Sequence, residues 1–162
     1  MSTRPDVAAA LAECRLLLGA SAAALEELAA IATVQEAPRG TSLAAEGEPA
    51  DQLGIVVQGR VRVYHLGADG RSMILETMAR GEAFTAVAAL AGGRYPANVD
   101  AATHATVAWL PRESLFHLVE AEPAVARSLI ADLASRVVNL TSVVQTLALD
   151  VPGRLARYLF QR

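Results

Sequence analysis

Lysine is absent from this chain, cysteine occurs once, and aromatic side chains make up only 4% of its 162 residues. A single thiol, Cys14, permits no internal disulfide and no all-cysteine iron–sulfur cluster. With one Trp, three Tyr and three Phe, a core has to be built from alanine, valine and leucine. All 14 basic residues are arginine, the net charge is −3, and no basic block occurs. That is not the electrostatic footprint of a nucleic-acid surface. No apolar run approaches the ~18 residues of a membrane span. The start, Met1-Ser-Thr-Arg-Pro-Asp6, lacks the pattern of a secretory signal. The expectation is a cytoplasmic bacterial protein with no membrane partner. There is also no phosphate-binding P-loop, no Gly-x-Ser-x-Gly and no metal-binding His-Glu motif, so the chain reads as a non-enzyme.

What is present is a change of grammar along the chain. Residues 7 to 18 and 22 to 32 read as helices, with Gly19 as a stop and Ser21 as an N-cap. After Pro38-Arg-Gly40, short apolar runs alternate with turns. Strands are expected at 54–57, 60–66, 72–78, 98–101 and 106–110, with Asp69-Gly70 as a hairpin turn. This spacing predicts a small all-β sandwich or barrel. Pro111 opens a helix over 112–119, and Pro123 sits in the first turn of a long one. Along that helix Ile130, Leu133, Val137, Leu140, Val144 and Leu147 step by three and four, a heptad seam that buries itself best against a second copy. A stripe of this kind also suits a helix packed on its own β-domain. Residues 153 to 162 begin another amphipathic helix.

In this order, the elements resemble the sensor half of the CRP/FNR family of bacterial transcription regulators. The residues that carry the resemblance are Pro38-Arg-Gly-Thr41, Glu46-Gly-Glu-Pro-Ala-Asp51, Ile55 to Tyr64, Ala68-Asp-Gly-Arg71, Gly81-Glu-Ala-Phe84, Pro111-Arg-Glu113 and Asp150 to Tyr158. The resemblance implies a mainly β fold with flanking helices: a double-stranded β-helix (a jelly-roll of the cyclic-nucleotide-binding type) followed by a coiled-coil dimerisation helix. It divides the chain into N-terminal helices (1–33), an effector-sensing roll (34–121), a dimerisation helix (122–149) and the start of a DNA-binding domain (150–162). The expected partners are a second copy, a small-molecule or gas effector, and DNA only through a helix-turn-helix that this chain lacks. A stand-alone roll binding another small ligand or a protein is the alternative.

Cyclic-nucleotide binders of this type carry Phe-Gly-Glu at the start of the ligand cassette and Arg-Ser-Ala at its end. Here those positions read Phe84-Thr85-Ala86 and Tyr95-Pro96-Ala97. The carboxylate for the ribose hydroxyl is replaced by Ala86, and the guanidinium for the phosphate by Tyr95. Pro96 removes a backbone donor. Cyclic AMP is therefore not expected to bind in the usual mode, since a buried phosphate without a charged partner is costly. Phe84, Ala86, Tyr95, Pro96, Ala97 and Asn139 are the pocket candidates. The Gly92-to-Ala97 run is similar to that of the dissimilatory nitrate respiration regulator branch, whose resemblance implies haem as a candidate cofactor for nitric oxide or redox sensing. His65, His104, His117, Cys14 and Tyr95 are the candidate ligands. Each histidine reads equally as a surface side chain, Cys14 as a buried inert thiol, and Tyr95 as a filler of the space left by arginine.

Overall fold

The computed structural model describes residues 4–148, with side chains described for 6–139. Three helical pieces open the chain: α1 (Arg4–Glu13), a single 3-10 turn (Arg15–Leu17) and α2 (Ala22–Ile31). Gly19, at φ +92°, turns the chain between them. Ser21 caps α2, its side chain accepting from the Ala24 N–H. The expected helix over 7–18 is thus broken at Cys14 into a helix and a turn.

Eight strands follow: β1 (Thr33–Ala37), β2 (Ser42–Ala44), β3 (Gln52–Gln58), β4 (Val61–Leu66), β5 (Ser72–Met78), β6 (Ala83–Phe84), β7 (Asn98–Ala101) and β8 (Ala105–Pro111). They form two antiparallel four-stranded sheets, ordered β1-β8-β3-β6 and β2-β7-β4-β5. Between β6 and β7 lies a short helix, α3 (Ala86–Ala91). The chain then forms α4 (Arg112–Ala121) and α5 (Pro123–Ala148). The roll and its flanking helices are the architecture expected from the sequence. β1, β2, β6 and α3 were not foreseen.

The two sheets differ in what covers them, and the sequence follows that difference. In β3, Leu53, Ile55 and Val57 face a cluster built with the helices, while Val56 faces the roll interior. In β8, Ala108 and Leu110 join the helices, while Ala105, Val107 and Trp109 point inward. Both faces of this sheet are buried, so its central strands are nearly continuous apolar runs. Each fully buried valine, leucine or isoleucine stabilises by about 1.5–3 kcal/mol. The second sheet is covered on one face only. In β4, Val61 and Val63 pack on the interior cluster, whereas Arg62 lies outward, paired with Asp100 of β7 at 2.7 and 2.8 Å.

The chain divides into two units, Met1–Leu129 and the stretch from Ile130. In the second, α5 continues as a helix of 26 residues in all, about 39 Å long. On it Ile130 is 67% exposed and Val137 61%, and Leu133 is half-buried. Leu140, Val144 and Leu147 lie outside the residues whose side chains are described, as do residues 150–162 in every respect. No helix among the described residues is long and apolar enough to cross a membrane.

Candidate functional site

The ligand cassette read from the sequence spans β6, α3 and the turn into β7. Phe84 anchors its start. The ring is 1% exposed and meets Trp109 edge-on, with centroids 5.2 Å apart at 77°. Room for Phe84 comes from Gly54, where an added Cβ would lie 2.2 Å from its Cζ. Trp109 is in turn held by its Nε1–H, which donates to Gln35 Oε1 at 2.8 Å.

Thr85 is the one non-glycine residue with positive φ among the described residues, at φ 62° and ψ −6°. A β-branched residue is strained there. Its hydroxyl holds the geometry. Oγ1 accepts the Gly54 N–H at 3.3 Å and lies 2.6 Å from Phe84 O and 3.2 Å from Gln52 O, to one of which it donates. Ala86, the first residue of α3, is buried.

At the other end of the cassette the backbone of residues 93–95 is bonded to the loop before β3. Ala50 N–H donates to Gly93 O at 3.0 Å, Tyr95 N–H to Glu48 O at 2.9 Å, and Gly47 N–H to Tyr95 O at 2.9 Å. Arg94 Nη1 donates to Gly47 O at 2.6 Å. Tyr95 is buried in the interior cluster, and its hydroxyl donates to Gln52 O at 3.2 Å. Burial, and then the charge of Asp51, push the phenol above its ordinary pKa of 10.0. Glu48 adds to the same effect. Ala97 is buried and Pro96 exposed.

The candidate ligands for iron do not converge. His65 Nδ1 sits 3.1 Å from Glu46 Oε2 on the exposed end of β4. His104 is exposed in the turn between β7 and β8. His117 lines a surface cleft of ≈680 Å³ between α2 and α4, with Ala24, Leu28 and Leu118. Cys14 is 1% exposed in the helix-side cluster. Only Tyr95 belongs to the roll interior, and its hydroxyl is committed to Gln52. Among the described residues no three of His, Cys, Asp and Glu gather as a metal site. These residues do not fit a haem held inside the roll by a protein ligand. Asn139 is exposed on α5.

Gln52, whose carbonyl accepts from Tyr95, and Thr85, whose hydroxyl lies 3.2 Å from the same carbonyl, went unforeseen. A backbone carbonyl leaves no mark in a sequence; the only signal was a threonine where the cassette pattern has glycine.

Comparison with known proteins agrees with this architecture. The family model for the cyclic nucleotide-binding domain matches residues 34–122. The CRP-like cAMP-activated global transcriptional regulator of Mycobacterium tuberculosis is 28% identical over 155 residues, 93% of this chain and 68% of the regulator. The cAMP-activated global transcriptional regulator CRP of Haemophilus influenzae is 32% identical over 124 residues, 75% of this chain and 55% of that one. Among solved structures, the sensor domain of the transcriptional regulator DNR from Pseudomonas aeruginosa matches with a TM-score of 0.76 at 22% identity, covering 92% of this chain and 100% of that domain. The catabolite activator protein of Thermus thermophilus matches with a TM-score of 0.74 at 24% identity, covering 83% of this chain and 63% of that one. At those identities the two structures speak to the fold alone.

Proposed function

The chain belongs to the cyclic nucleotide-binding domain family, and on that premise we propose that it is the effector-sensing and dimerisation region of a CRP/FNR-type transcription regulator whose effector is not cyclic AMP bound in the usual mode. The observation that carries the second half is Tyr95. A neutral, buried phenol bonded to Gln52 O occupies the place of a phosphate-binding cation. Asp51 and Glu48, close enough to raise its pKa, make the same place unfavourable for an anion. Ala86 offers nothing to a ribose hydroxyl. Relatives named for activation by cAMP support the regulator reading. Haem-based nitric oxide sensing draws no support from the side chains facing the roll interior.

Titration of the purified chain with cyclic AMP in a calorimeter tests this. No saturable heat is expected up to about 1 mM ligand, where even a Kd near that value would register. Saturable binding in the micromolar range overturns the reading.

A further inference from the structure

Helix α2 and the root of α5 complete each other. An N-terminal serine cap is commonly reinforced by a glutamate three residues on, which accepts from the cap's own backbone N–H. Here that position is Ala24, which cannot do so. The carboxylate comes instead from Glu122, 101 residues away at the junction of α4 and α5. It accepts from the Ser21 N–H at 2.7 Å and from the Ser21 hydroxyl, which in turn accepts from the Ala24 N–H. The same junction is gripped twice more. The Ser128 hydroxyl donates to Leu18 O, and a Cβ on Gly19 would lie 3.0 Å from Ala124 Cβ. Val125 is fully buried between these contacts, in the cluster that holds Leu17 and Leu28.

We propose that Ser21 and Glu122 form a latch: they are positioning residues that fix the root of α5 (residues 123–129) to the N-terminal helices, so that a rearrangement of those helices passes into α5. The proposal rests on reading α5 as the output element of the sensor. Ser21 is exposed and Glu122 half-buried, so water competes for these bonds. Such a contact can open and close without dismantling the apolar cluster beneath it.

The test is a distance measurement by pulsed electron paramagnetic resonance. Spin labels go on Arg39→Cys in the β1–β2 turn and Arg127→Cys on α5. Both positions are exposed, buried Cys14 is left in place, and labelled chain is diluted with unlabelled chain. The otherwise unaltered chain should give one narrow distance. Glu122→Ala and Ser21→Ala should each at least double its width or shift its mean, and the double variant should go no further than either. Ser21→Thr, which keeps the hydroxyl, should restore the narrow distance. Glu122→Gln, with one acceptor oxygen left, should fall between; it also guards against Glu122→Ala failing to fold, which a circular dichroism melt reveals. An unchanged distribution in the alanine variants overturns the latch, because α2 would then lose a cap without moving α5. The distance lies within one chain, so it is read whether or not the chain dimerises.

Discussion

At position 95 a phenol lies in the roll interior, with the carboxylates of Asp51 and Glu48 acting on it. The tyrosine is kept protonated by burial and by those carboxylates. The folded chain therefore binds that proton more tightly than the unfolded chain does. The sign follows: this preference is fully present below the unfolded pKa of about 10 and is lost as pH rises through the higher folded value. Tyr95→Phe removes the titration and one hydrogen bond, worth about 1 kcal/mol at neutral pH. Urea unfolding of both chains should show the wild type ahead at pH 7, with its lead shrinking as pH passes about 10. A lead that stays constant would mean that Tyr95 does not titrate differently in the two states. The sequence singled out Ala86 and Tyr95 as pocket candidates only through the resemblance of the cassette. It did not reveal where the hydroxyl goes, since its acceptor is the main chain of Gln52.

Whole elements were legible where periodicity ran long enough. The buried runs of β3 and β8, the Asp69-Gly70 hairpin and the long helix all follow from pattern and turn chemistry. Elements held by tertiary context were not. α3 has only six residues and starts from a strained Thr85 without a side-chain cap, so it has no local nucleus. β1 and β2 are short, and β1 is set by its antiparallel register with β8 rather than by an alternating pattern of its own. Along α5, Ile130 and Val137 are exposed one heptad apart, with Leu133 between them. Burying each exposed member of that row against a second helix would stabilise by about 1.5–3 kcal/mol. Leu133→Glu would place a charge in the seam with no partner to offset its desolvation. Sedimentation equilibrium should find the unaltered chain dimeric and the variant monomeric, with the melting curve of the roll nearly unchanged. A variant that remains a dimer assigns the interface to another surface.

For the whole molecule, charge decides which partners this chain can reach by itself. Its net charge is −3. Several arginines are already neutralised nearby: Arg62 by Asp100, Arg80 by Glu13, Arg112 by Glu113 and Arg136 by Asp132. Pairing of this kind removes these four from any basic stripe, and duplex DNA is bound largely through cations that displace its counterions. The described residues of the roll and α5 are therefore expected to contribute little affinity for duplex DNA. The expected result is that the isolated chain leaves the mobility of duplex DNA unchanged even at about 50 mM salt, where electrostatic binding is strong. A shift that weakens with added salt would locate a phosphate-binding surface on this chain and require the division between sensing and DNA contact to be redrawn.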